Sequence, residues 1–310
     1  MAAALAVGVG VAAALAKAEL ARRSTRQAPG VSHSRLKRLT LEQIDLAIAL
    51  LQGRGEVAPE RTVHETRKAL KRARALVRLQ QSALGRKRFR RANATLRQAG
   101  RRLAGARDAE VIAETLQSIV ESHPKRLAHS AGVAKLRERL LDEREQARQR
   151  GEAHQREAVL AELRATRALL ERWQPSQSER KTARLGLHRI YRRGLKRGRR
   201  ARKAKDSPSL HAWRKRVKDL RYAAEALELR EVAKQADRLG ETVGQEHDLW
   251  LLAQCLRRNR KCFKGDSAAR KQLRELIARR RRRLRKRAFK LGEELYRQPP
   301  KRFVRRCLAD

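Results

Sequence analysis

The chain has 310 residues, with 79 Lys or Arg against 33 Asp or Glu, a formal charge of +46 and a pI near 11.7. A hydrophobic content of 41%, with only 7 Pro and 17 Gly, is that of a folded helical chain and excludes disorder as its general state. Three Trp, three Tyr and four Phe leave few platforms for stacking nucleic-acid bases, while the positive surplus asks for a polyanionic partner.

Residues 1–16 (MAAALAVGVGVAAALA) carry no charge, are fewer than a spanning helix needs and have no basic residue before them. Residues 1–34 are therefore expected to be a disordered or loosely helical leader, with a weak membrane anchor or targeting segment as the alternative. From about Arg35 the apolar residues recur at three and four, and strand-like alternation is nearly absent, so the chain reads as all-α. Breakers at 53–60, Leu84-Gly85, Ser122-His123-Pro124, Gln174-Pro175-Ser176, Asp206-Ser207-Pro208, Gly265-Asp266-Ser267 and Pro299-Pro300 divide it. They predict helices at about 38–52, 60–83, 86–121 and 125–172 before Pro175, and 179–204, 209–229, 231–263 and 267–297 after it. Two four-helix bundles, 35–174 and 178–310, are the expectation. Ser207 with Pro208 behind it is the expected cap of the helix that follows, and Asp266 or Ser267 of the last long one. Cys255, Cys262 and Cys307 lack CxxC spacing, which argues against a disulfide framework or a cysteine zinc site and for a reducing compartment.

The division is supported by a repeat. His64, Arg67, Lys68, Lys71 and Arg74 spell H-x-x-R-K-x-x-K-x-x-R, and His211, Arg214, Lys215, Lys218 and Arg221 spell it again 147 residues later (211 − 64). Gly105-Ala106-Arg107-Asp108 trails the first copy and Gly244-Gln245-Glu246-His247-Asp248 the second. On a helix, His64, Arg67, Lys71, Arg74 and Arg78 fall within an arc of roughly 80°. Apolar stripes lie to one side: Val63, Leu70, Ala73 and Val77 in one copy, Leu210, Trp213, Val217, Leu220 and Ala224 in the other. A solvated face tends to mix signs for i,i+4 pairing, whereas the first stripe has no acid at its five positions and the second none at 211, 214, 218 and 221. An anion site is therefore expected. Neither histidine has further ligands at metal spacing, so each is read as a phosphate contact, with a structural role at the helix start as the alternative. Asp108 and Asp248 are expected to orient basic side chains through ion pairs.

The doubled motif, the segment KDLRYAAEAL (218–227) and the trailing LGETVGQEHDLWLL (239–252) resemble the CHAD family, the conserved histidine α-helical domain, over about residues 36–310. The resemblance implies two four-helix bundles related by an approximate two-fold, with a basic central channel that binds inorganic polyphosphate, and association with polyphosphate granules in the cytoplasm. It implies that His64, Arg67, Lys68, Lys71, Arg74, His211, Arg214, Lys215, Lys218 and Arg221 contact the polymer. Arg78, Arg101, Arg102, Arg107, His188, Arg189, Arg192 and Tyr222 are secondary candidates. No Gly-rich phosphate loop or carboxylate cluster accompanies them, so no enzyme, cofactor, metal or membrane span is expected. Non-specific binding of an RNA or DNA backbone is the alternative function, because a pI of 11.7 alone would suit it.

Overall fold

The computed structural model describes residues 34–54, 57–103, 107–149 and 152–309, and every regular element among them is helical. The expected leader lies outside the described residues apart from Ser34. The order begins α1 (Arg35–Leu51), α2 (Pro59–Leu79), α3 (Gln81–Arg102), α4 (Arg107–Ser122), α5 (Pro124–Leu127), α6 (Ala131–Gln149) and α7 (Glu152–Glu171). It continues with α8 (Glu179–Ala204), α9 (Ser207–Ala226), α10 (Arg230–Arg258), a 3-10 turn (Arg260–Phe263), α11 (Ser267–Leu295) and α12 (Pro300–Cys307).

Two expected helices are divided. The segment 86–121 becomes α3 and α4, and 125–172 becomes α5, α6 and α7. The first division opens at Leu103, where α3 ends, and the second at 128–130, between α5 and α6. Gly85 breaks α3 at φ +72°, in a region that a side chain rarely enters, which accounts for the breaker read at Leu84-Gly85.

One of the two expected caps is replaced by its neighbour. Asp206, in extended backbone, caps α9: its Oδ1 accepts from the Ser209 N–H at 2.6 Å, and Ser207 is already the first helical residue. Asp266 is the N-cap residue of α11, as expected, but its side chain makes no cap bond there and turns to another helix, its Oδ2 accepting from Ser130 Oγ at 2.5 Å and from the Gly132 N–H at 3.0 Å. These bonds hold its carboxyl below the usual range, the Ser130 hydroxyl first, and fasten the start of α6 to the start of α11.

Three apolar clusters hold the helices together. One joins α1, α2, α3 and α7 through residues such as Ile44, Leu70, Val77, Leu96 and Leu163. A second gathers α8 to α12 around Trp213, Val217, Leu239 and Phe303, and includes Leu36 of α1 with Leu76 and Leu79 of α2. The third packs Ile112, Leu116 and Leu136 of α4 and α6 against Leu252, Leu256, Leu273 and Ile277 of α10 and α11. Helices before Pro175 thus bury their apolar faces on helices after it. Each fully buried Leu or Ile contributes about 1.5–3 kcal/mol relative to exposure, so this third seam ties the two parts of the chain firmly.

The two motif helices, α2 and α9, pack against each other, and α8 crosses both. The crossing is close: a Cβ at Gly186 of α8 would lie 1.9 Å from the carbonyl oxygen of Leu79 at the end of α2. The expected apolar stripes face inward, with Leu70, Ala73 and Val77 buried in the first copy and Leu210, Trp213, Val217, Leu220 and Ala224 in the second; Val63 is only half-buried. All three cysteines are free. Among the described residues no helix is long and apolar enough to cross a membrane.

Candidate anion-binding site

Burial of one stripe on α2 and one on α9 leaves the neighbouring basic faces to meet where these helices pack. Two ion pairs lock that contact. Arg78 of α2 meets Asp219 of α9 at 2.7 Å, with side chains 9% and 10% exposed, and Arg216 takes the other carboxylate oxygen at 2.9 Å. Arg72 of α2 meets Glu225 of α9 at 3.7 Å. Adding the 147-residue repeat offset to 72 and 78 gives 219 and 225, so the second pair repeats the first with the helices exchanged.

Arg74, one turn before Arg78, has a buried Nε with no hydrogen-bond partner among the described residues. Its guanidinium is pushed down to about 10, by burial first and then by Arg78, with Arg216 and Arg97 adding to the effect and Asp219 opposing it. Lys215 reaches solvent from α9, yet burial and then Arg216, Arg101, Arg97 and Arg74 hold its ammonium below the ordinary value. Helices α2, α3 and α9 therefore bring Arg74, Arg97, Arg101, Lys215 and Arg216 into one neighbourhood of like charge.

The other side of α9 is differently composed. Arg221 donates to Glu225 at 2.8 Å and pairs with Asp237 of α10; burial by itself would lower its pKa, but Glu225 and then Asp237 outweigh that and hold it above the ordinary value. Lys218 falls to about 8, chiefly by burial and then by Arg214 and Arg221, while Asp237 and Asp248 pull it back up. Arg214 donates through Nε to the Gly240 carbonyl at 3.3 Å. His211 stacks on His247 with ring centroids 4.0 Å apart, and His247 stacks in turn on Trp250 at 5.5 Å. Burial, then His247, Lys215 and Arg214, push His211 down to about 3, so the imidazole is neutral near pH 7.

The remaining candidates are placed as follows. His64 lies 3.9 Å from Glu65, which also pairs with Lys68 at 3.2 Å. Arg67 is half-buried and Lys71 exposed. Arg78 is committed to Asp219, and Tyr222 is 6% exposed, flanked by the guanidinium groups of Arg221 and Arg72 at 5.6 and 5.8 Å from the ring centre. Arg101 and Arg192 reach solvent, whereas Arg102 is paired with Glu162 at 2.8 Å. Arg189 donates to the Arg78 carbonyl at 3.3 Å and to Gln81 at 3.4 Å. His188 beside it is held below its ordinary value by burial, then by Arg192, Lys301 and Arg189. The side chains of Arg107 and Asp108 lie outside the described residues.

Arg97, Arg216 and Glu65 were not distinguished by the sequence pattern. Nor was the role of Glu246, 1% exposed, which accepts from Ser207 at 3.0 Å and binds Arg281 and Arg285 at 3.0 and 2.8 Å. Two arginines of the basic tract 278–286 are thus held by an internal carboxylate. Among the described residues no three His, Cys, Asp or Glu side chains are grouped to hold a metal ion.

An all-helical chain with two packed copies of this motif is a CHAD domain by sequence as well: that family matches residues 41–257, and the chain belongs to it. Among solved structures it is similar to the CHAD domain of the plant Ricinus communis, at 19% identity, 87% coverage of both chains and a TM-score of 0.49. No match is found among curated proteins.

Proposed function

We propose that the protein is a non-enzymatic binder of inorganic polyphosphate, holding the polymer in a Lys-, Arg- and His-lined channel along α2 and α9, and that it associates with polyphosphate granules. The observation that carries this reading is the gathering of Arg74, Arg97, Arg101 and Lys215, in which burial and then like-charged neighbours lower Arg74 and Lys215 while Asp219 opposes the shift at Arg74. Folding that brings like charges together is unfavourable unless an external polyanion completes the site. Arg offers two-pronged contacts to phosphate oxygens and Lys a mobile point charge, which suits a polymer with one charge per unit and no bases. The reciprocal pairs Arg78–Asp219 and Arg72–Glu225 support an approximate two-fold between the halves, so that successive phosphates meet related surfaces.

The test is displacement of labelled polyphosphate from the full chain. Unlabelled long polyphosphate should displace it better than RNA at equal phosphate equivalents. Equal displacement would instead favour general binding of nucleic-acid backbones.

A further inference from the structure

The halves are alike in helix placement but not in charge. Helix α2 maps onto α9 at an offset of 147 residues, whereas α3 maps onto α10 at 140 (240 − 100, Gly100 on Gly240), the offset that also relates Asp108 of α4 to Asp248 of α10 (248 − 108). Packing supports both offsets: a Cβ at Gly100 would lie 4.0 Å from Leu70, and one at Gly240 would lie 3.7 Å from Val217, the residues that these offsets pair. Arg74, Arg78, Arg97 and Arg101 then correspond to Arg221, Glu225, Asp237 and Glu241. Four basic residues in one half stand opposite one basic and three acidic residues in the other.

The ion pairs follow this difference. Arg221 is satisfied inside the protein by Glu225 and Asp237. At those two positions its counterpart Arg74 faces Arg78 and Arg97, and Arg78 is already engaged with Asp219. Lys215 of α9 leans toward this same half, where Arg97 and Arg101 are its neighbours.

We propose that the protein grips phosphate on one side: Arg74, Arg97, Arg101 and Lys215, between α2, α3 and α9, form the principal site for a run of two or three linked phosphates, and the α9–α10 side is closed by its own carboxylates. The inference rests on the polyphosphate reading above. It locates the anchor of the polymer and adds Arg97 to the contacts. A short linear polyanion fits because four positive groups on three helices require charges spaced along a chain, more than one isolated anion supplies.

Calorimetric titration of the full chain with inorganic tripolyphosphate tests it. The wild type should bind with a stoichiometry of about one, and Arg97→Ala and Arg74→Ala should each weaken binding roughly tenfold, the loss of one charge-assisted bond. Arg221→Ala should weaken it by no more than about threefold, as for loss of an exposed ion pair. Asp237→Arg, which places a basic residue where the first half has Arg97, should raise the stoichiometry toward two. Arg97 is exposed, so its variant reports on binding even if Arg74→Ala unfolds. Losses from Arg221→Ala equal to those from Arg97→Ala, or no gain from Asp237→Arg, would overturn the one-sided site. If neither tripolyphosphate nor long polyphosphate binds the wild type, the functional reading itself fails.

Discussion

Arg78 and Asp219 lie 141 positions apart in the chain, yet their side chains meet at 2.7 Å between the two motif helices with about nine-tenths of each hidden from solvent. Arg78 extends the basic stripe of α2 by one turn, so sequence spacing alone assigns it to the ligand. The structure assigns it to the contact between the halves, where burial lowers its pKa and Asp219 counteracts that effect.

The two offset-related pairs should differ sharply in their effect on stability. Asp219→Asn leaves a buried guanidinium short of its partner and should cost about 3–5 kcal/mol in urea unfolding. Glu225→Gln removes the wider pair with Arg72, in which each side chain is 33% exposed, and should cost only about 0–1 kcal/mol through that contact. Similar losses would mean that Arg78 does not hold the helices together.

Gly186→Ala should separate α8 from the end of α2, because the new methyl group would meet the Leu79 carbonyl oxygen at 1.9 Å. A loss of about 1–3 kcal/mol is expected from such overpacking. Gly100→Ala, with only Leu70 at 4.0 Å, should be neutral or gain up to about 1 kcal/mol from helix propensity. Denaturant midpoints of the two variants should therefore move in different directions or by clearly different amounts.

His211 gives a pH dependence with a definite sign. It titrates at about 3 in the folded chain, and at about 6.5 when unfolded. Between those values the unfolded chain holds more protons, so this group's contribution is intact above about 6.5 and is lost as pH falls toward 3. The limiting slope is about 1.4 kcal/mol per pH unit. Unfolding measured between pH 7 and 5 should show a decline that His211→Gln reduces. In NMR titrations, polyphosphate should raise the pKa of His211, since an anion beside Lys215 and Arg214 favours the imidazolium.

Salt should act in opposite directions on the free and bound protein. Screening relieves repulsion among Arg74, Arg97, Arg101 and Lys215, so moderate NaCl should raise the melting temperature of the free chain. The same salt should weaken polyphosphate binding, with a slope of log K against log salt of roughly −3 or steeper for four phosphate contacts. A slope near zero would exclude a charge-driven site.

Much of this was legible in residues and much was not. The helical class, the inward faces of Leu70 and Val217, and the paired motifs follow from periodicity and repetition, which are local properties of the sequence. The packing of α4 and α6 against α10 and α11 does not follow, because Ile112 or Leu136 shows an apolar face without naming its partner. Asp206 and Ser207 are both good caps by residue type. Their roles are separated by Glu246, which draws the Ser207 hydroxyl into a buried network with Arg281 and Arg285. Arg97 stands among many arginines of α3 with no local signature. Only its correspondence with Asp237, visible once Gly100 and Gly240 are seen in matching contacts, sets it apart.

The most direct measurement compares matched charge reversals in a titration with polyphosphate of defined length at several salt concentrations. Arg67→Glu with Lys71→Glu lowers the net charge by the same amount as Arg282→Glu with Arg283→Glu, two residues exposed on α11. The first pair should reduce affinity roughly a hundredfold, and the second should change it only slightly. Equal losses from the two pairs would show that bulk charge, and not a site on the motif helices, holds the polymer.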